Sequence, residues 1–227
     1  MTTHGKRYTD IKKQKPSAAV TLEEAVAFIK AHPAAKFDES LEVALRLGVD
    51  PRKTDQSIRG SCSLPHGTGK TVRVIVFAAG AAADAAREAG ADAVGMDDLV
   101  ERVREGWTDF DVAIATPDAM KEVRKLGRQL GPRGLMPNPR TGTVTDDVAA
   151  AVTASKGGKV DFRMDRTGNV GVLCGKLSFS AENLVDNANS VLDAIRSEKP
   201  PGVKGAFIRN CTLSSTMGVG IKIVMRD

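Results

Sequence analysis

Val72-Arg-Val-Ile-Val-Phe-Ala78, followed by Gly80 and the alanine-rich run from Ala81 to Ala89, decides how the middle of this chain folds. A short β-branched run ending in glycine reads as a buried strand, and alanines closed by Gly90 read as a helix. The alternation then repeats. Asp92-Ala-Val94 reads as a strand, Asp97 to Glu105 as a helix and Asp111-Val-Ala-Ile-Ala115 as a strand, after which Thr116-Pro117 opens another helix. Pro suits the first helical position because its missing N–H has no intrahelical partner there. Strands alternating with helices make βαβ units around a parallel sheet.

The flanks have a different periodicity. Lys36-Phe-Asp-Glu-Ser-Leu-Glu-Val-Ala-Leu-Arg-Leu47 puts Phe37, Leu41, Val43, Leu45 and Leu47 on one face and Ser40, Glu42 and Arg46 on the other. Such period-two alternation describes a strand with one wet face. Lys159 to Asp165 and Asn169 to Gly175, around Arg166-Thr-Gly168, predict a hairpin, and Phe207 to Leu213 and Gly220 to Met225 predict two more strands. Thr21 and Glu24 form a capping box that opens a helix bearing Leu22, Val26 and Ile29. A second helix, Ala181 to Arg196, carries Leu184, Ala188, Val191 and Ile195 on one stripe.

Neither flank buries its sheet alone, so the two are expected to form one discontinuous α+β domain, 1–66 plus 159–227. An α/β domain, 67–158, is inserted between them. Leu64-Pro-His-Gly-Thr-Gly69 and Ser155-Lys-Gly-Gly158 have the composition of the two crossings.

Across 227 residues, Lys and Arg number 33 against 28 Asp and Glu, a formal charge of +5 that favours a polyanionic partner. Aromatic residues make up only 4%, too few for recognition by stacking successive bases. Cys62, Cys174 and Cys211 are odd in number and widely spaced, so neither a disulfide framework nor a zinc ribbon is indicated. His4, His32 and His66 are dispersed, and no metal or cofactor is expected. The basic start, Lys6 to Lys15, lacks the apolar core of a secretory signal, and no run reaches the roughly 20 apolar residues of a membrane span.

His66-Gly-Thr-Gly-Lys-Thr71 looks like the end of a phosphate loop, but Leu64 stands where that motif needs glycine and the segment leads into a strand. The turn after Val76 lacks the Gly-x-Gly-x-x-Gly of dinucleotide sites. Asp97 and Asp98, like Asp146 and Asp147, fit helix N-termini better than catalysis. The alternative function is a nucleotide-dependent enzyme using the inserted α/β domain, for which the sequence offers no catalytic residues.

Gly131-Pro-Arg-Gly-Leu-Met-Pro-Asn-Pro-Arg-Thr-Gly-Thr-Val144 is too constrained for a linker and too interrupted for a helix or strand. With Lys125-Leu-Gly-Arg-Gln-Leu130 before it, this run resembles the signature of the L-one family of large-subunit ribosomal proteins, found in the mobile ribosomal stalk. Similarity continues in order through Lys36 to Ser40, Gly48 to Pro51, Leu64 to Gly67, Asp109 to Asp111, Ala115 to Asp118, Phe162-Arg163, Asn187 and Ser215-Thr-Met-Gly218.

The resemblance implies an α+β split RNA-binding domain with an inserted Rossmann-like three-layer α/β domain. It implies a non-enzymatic constituent of the large subunit, cytoplasmic and ribosome-bound, and a monomer off the ribosome. The implied activities are binding large-subunit rRNA at the stalk, assisting release of deacylated tRNA from the exit site and repressing translation of its own operon mRNA. Its implied RNA-binding residues are Lys36, Phe37, Glu39, Arg163, Asp165, Thr216, Met217 and Gly218. Arg52, Lys53, Arg59 and Asn210 are expected secondary contacts; Asn210 stands where the family carries a hydroxyl residue.

Overall fold

The computed structural model describes residues 5–203 and 205–225, so His4 lies outside the described residues. In chain order the elements are α1 (Lys6–Gln14), α2 (Leu22–Ala31), β1 (Ser40–Leu47), β2 (Arg59–Ser63), β3 (Val74–Phe77), α3 (Ala81–Glu88), β4 (Ala93–Gly95), α4 (Asp97–Arg104) and β5 (Val112–Ala115). They continue as α5 (Met120–Val123), α6 (Gly127–Leu130), α7 (Val148–Lys156), β6 (Lys159–Arg163), β7 (Asn169–Lys176), α8 (Ala181–Ser197), β8 (Ile208–Ser215) and β9 (Ile221–Lys222). The chain divides into two compact units, Met1–Gly69 with Val160–Asp227, and Lys70–Lys159. No helix among the described residues is long and apolar enough to cross a membrane.

In the split unit, β1 is the hub of a four-stranded sheet in the order β7-β1-β8-β9. It pairs antiparallel with β7 from Ser40↔Lys176 to Arg46↔Asn169, and with β8 from Leu41↔Ser215 to Leu47↔Ile208. Leu41, Val43, Leu45 and Leu47 point inward with Val170, Val172, Cys174, Cys211 and Leu213, and all are buried. Leu184, Ala188, Val191 and Ile195 of α8, with Val26 and Ile29 of α2, complete this core. The capping box forms as expected: Thr21 Oγ1 accepts from the Glu24 N–H, and Glu24 Oε2 accepts from the Thr21 N–H. Burial pushes the Cys174 and Cys211 thiols up to about 12, so both act as small apolar core residues.

The second unit is a parallel sheet, β4-β3-β5, with a core on each face. Ile75, Phe77, Ala113 and Ala115 face α4 and the broken helical segment of α5 and α6, while Val74, Val76 and Ile114 face α3 and α7. That is the three-layer α/β arrangement. Strands covered on both sides carry apolar residues at every position, which explains why β3 reads as an unbroken hydrophobic run.

Four local expectations are corrected. The first strand begins at Ser40, because Asp38 turns the preceding chain by accepting from the Ser178 N–H and Oγ. No hairpin ladder joins β6 and β7: β6 pairs with β2, and the Met164 N–H continues that pairing by donating to Ile58. Ser155-Lys156 belongs to α7, leaving Gly157-Gly158 as the irregular part of the second crossing. The helix expected at Thr116 begins as a turn and proceeds through α5, a 3-10 turn and α6; Thr116 Oγ1 accepts from the Ala119 N–H. Capping does account for Asp147, which accepts from the Ala150 N–H, and Asp98 accepts from the Met96 N–H.

Asn187, fully buried on α8, fixes the first crossing to the split unit. It accepts from the His66 N–H at 3.1 Å and donates to the carbonyls of Gly67 at 3.1 Å and Cys174 at 2.7 Å. Asn187→Leu keeps the volume but strands these groups. It is expected to lower stability by about 3 kcal/mol, read as an earlier urea midpoint with an unchanged m-value.

Candidate functional site

The residues nominated from the sequence fall at the two ends of β1. About 3.3 Å of rise per residue puts those ends roughly 23 Å apart. At the Ser40 end, the segment from Pro33 to Glu39 meets the turn after β8. Lys36 is exposed and makes no ion pair among the described residues, and Phe37 and Met217 are large apolar side chains left 57% and 58% exposed. Lys36, Phe37 and Glu39 were expected on the first strand; they lie just before it.

Glu39 is not a surface residue: it is 1% exposed. Its Oε2 accepts from the Ala34 N–H and Ser215 Oγ, both at 3.2 Å, and its Oε1 accepts from the Met217 N–H at 3.0 Å. These bonds make Glu39 an internal clamp joining two loops. Thr216 adds a second tie, its Oγ1 accepting from the Ser40 N–H at 2.9 Å while its own N–H donates to the Ser40 carbonyl at 3.1 Å. A Cβ on Gly218 would lie 2.3 Å from Ser215 Oγ, so a side chain there would displace a hydroxyl that Glu39 uses.

At the Leu47 end, Asp165 organises the turn into β7. Its carboxylate accepts from the N–H and Oγ1 of Thr167 and from the N–H and Nδ2 of Asn169, at 2.8 to 3.1 Å. These bonds, led by the Asn169 N–H, hold its pKa down at about 2. Asp165 lies past the strand on which it was expected and does not pair with Arg163. Because Met164 donates to Ile58, Arg163 and Arg59 share one end of the β2-β6 pair. Arg52 and Lys53 sit on the turn after β1, where Asp50 accepts from the Arg52 N–H. Asn210 projects from β8 opposite Arg46. Arg46, Arg59, Arg163 and Arg166 make no ion pair among the described residues, so their charge is available to a ligand.

What joins these two groups is the open face of the sheet. Glu42, Ala44 and Arg46 alternate outward from β1, flanked by Asn169, Gly171 and Leu173 on β7 and by Asn210, Thr212 and Ser214 on β8. Apart from Asn210, the sequence reading nominated none of them. The signal was present, since the alternation that locates the inward leucines also locates this outward row. Glu42, Arg46 and Leu173 are its long side chains, and the others are short, so the floor between the two ends is shallow and mostly of hydroxyl and amide groups.

Charge follows the same division. The split unit holds 20 Lys and Arg against 15 Asp and Glu, whereas the second unit holds 13 against 13, so the whole +5 belongs to the split unit. In the second unit, the backbone of residues 143–145 pairs with the edge of β5 at Ala115, through the Ala115 N–H to Thr143 and the Thr145 N–H to Ala115. The glycine- and proline-rich loop serves that pairing. Asn138 caps its 3-10 turn, Gly142 adopts φ 64° to end the turn, and Thr141 and Thr143 share a buried hydroxyl network with Asn138.

Comparison with known proteins agrees with this architecture. The profile described as "Ribosomal protein L1p/L10e family" matches residues 29–219. The chain belongs to this family. A relative from Beutenbergia cavernae is 60% identical over 200 residues, covering 88% of this chain and 84% of the relative. One from Bifidobacterium animalis subsp. lactis is 55% identical over 224 residues, 98% of each chain. One from Chlamydia caviae is 50% identical over 228 residues, 100% of this chain and 98% of the relative. All three are named large ribosomal subunit protein uL1. Membership in the L1p/L10e family sets aside the nucleotide-dependent enzyme, because these relatives carry the name of a ribosomal protein.

The Asp165 turn has a defined pH response. A carboxyl titration followed by NMR is expected to place its midpoint at about 2. The depressed value means that the turn's stabilisation is complete above the unfolded value of about 3.9. It is lost as pH falls through 2. Thr167→Ala should move that midpoint upward by removing a donor to the carboxylate.

Proposed function

We propose that this member of the L1p/L10e family is a constituent of the large ribosomal subunit that binds large-subunit rRNA at the mobile stalk through the split unit. The observation that carries the reading is the open β7-β1-β8 face, with unpaired cations at one end and the clamped Phe37 and Met217 loops at the other. Arginine forks suit phosphates, and exposed hydroxyls, amides and backbone suit the 2′-hydroxyls of a shallow minor groove. Lys36, Phe37, Arg163, Thr216, Met217 and Gly218 are assigned to contact. Arg52, Lys53, Arg59 and Asn210 extend the surface, and Asp165 holds its turn.

The protein so placed is ribosome-bound in the cytoplasm and a monomer when free. Similarity to the family supports two further roles: assisting exit of deacylated tRNA, and repression of its own operon through an mRNA segment that mimics the rRNA site. Both use the same RNA chemistry, so a single surface serves rRNA and mRNA in competition.

Binding of a stalk rRNA fragment should weaken with salt, log K falling against log salt by about 0.7 to 0.9 for each phosphate neutralised. Lys36→Ala and Arg163→Ala should each reduce that slope by about one phosphate's share. A salt-independent affinity would contradict the assignment.

A further inference from the structure

The Glu39 carboxylate is buried, yet all three of its donors are neutral and no cation pairs with it among the described residues. Burying a carboxylate with no cation beside it is costly. Geometry supplies the compensation. A trans peptide holds its N–H and C=O in opposite directions. With the Met217 N–H directed at Glu39, the Thr216 carbonyl of the same peptide points away from the buried carboxylate, on the side where Thr216 and Met217 are exposed. That carbonyl takes no donor from the described residues. It is an acceptor without donor capacity, fixed by a side chain that cannot itself reach a ligand.

We propose that Glu39 is a positioning residue for RNA over DNA: it aims the Thr216 carbonyl at a ribose 2′-hydroxyl while touching no nucleotide. This rests on the rRNA reading above. A 2′-hydroxyl supplies the donor that a deoxyribose lacks, so discrimination arises at one peptide carbonyl. The same carboxylate holds the Ala34 N–H, so the Lys36 and Phe37 loop and the Met217 turn are set by one anion. Glu39→Ala is the deciding substitution, because it removes every acceptor for the Met217 N–H, and Glu39→Gln is the conservative one. An amide has one oxygen in place of two: with its NH2 toward Met217 the peptide is released, and with its oxygen there the NH2 opposes the Ala34 N–H while the Ser215 hydroxyl accepts from it.

The test combines the wild-type chain, Glu39→Gln and Glu39→Ala with a stalk rRNA hairpin carrying single 2′-deoxy substitutions, at several salt concentrations. In the wild type one ribose should be sensitive, its substitution costing about 5- to 150-fold in affinity, the range of a lost hydrogen bond that leaves a partner unsatisfied. In Glu39→Ala the unsubstituted RNA should bind correspondingly more weakly. The sensitive ribose should then cost less than about twofold, and the salt slope should match wild type because no phosphate contact is lost. Glu39→Gln, which keeps one oxygen for the Met217 N–H, should show the same change in smaller measure. Accelerated exchange of the Met217 amide in the variants would show directly that the peptide has been released.

Full ribose sensitivity retained in Glu39→Ala, which has no acceptor for the Met217 N–H, or weakening that appears as a changed salt slope, would overturn the proposal. The wild-type scan stands even if a variant fails to fold, since the absence of any sensitive ribose overturns the proposal alone. Failure of the wild type to bind the hairpin at all would instead overturn the rRNA reading.

Discussion

Everything in the split unit depends on the double pairing of β1. One strand from the first third of the chain is hydrogen-bonded on one side to β7 and on the other to β8, both from the last third. Because side chains alternate across a strand, this pairing fixes two surfaces together: an inward leucine and valine row against α2 and α8, and an outward polar row. A one-residue slip would exchange them. It also explains why the unit is discontinuous, since neither end of the chain contains the strands needed to complete the sheet.

Much of this was legible from local patterns. The Thr21 and Glu24 box, the α8 stripe and the Leu41 to Leu47 alternation are short-range signals, and short-range physics decides them. Strand partners were not legible in the same way. Arg166-Thr-Gly168 has the composition of a hairpin turn, yet the chain leaves the β6 ladder there, because Ile58 takes the Met164 N–H and Asp165 gathers the donors of the turn. Glu39 is the more instructive case. It stands two residues before Leu41 and so in phase with the inward row, a warning of a buried carboxylate. Its partners Ser215 and Met217 lie far along the chain, and only the sheet register brings them to it.

The stretch that most clearly marks the family is not part of the proposed RNA surface. Gly131 to Val144 builds a capped turn whose backbone extends the parallel sheet beside β5, and its rigidity serves that pairing. The second unit has no net charge, while the split unit carries the excess of cations. Sequence distinctiveness and the excess of positive charge therefore sit in different parts of the molecule. The carboxylates at the two ends of β1 share one kind of role, since Glu39 and Asp165 each gather neutral donors and hold a loop whose neighbours are free to meet a ligand.

The central claim is that the open sheet face and the loops at its two ends form the RNA surface. Amide hydrogen exchange of the full chain, with and without a large-subunit stalk rRNA fragment, tests it most directly. The account predicts added protection across residues 34–40, 165–169 and 214–218, with the carboxyl ends of β3 and β5 unchanged. Protection confined to residues 78–82 and 116–120, with none at the two ends of β1, would contradict it.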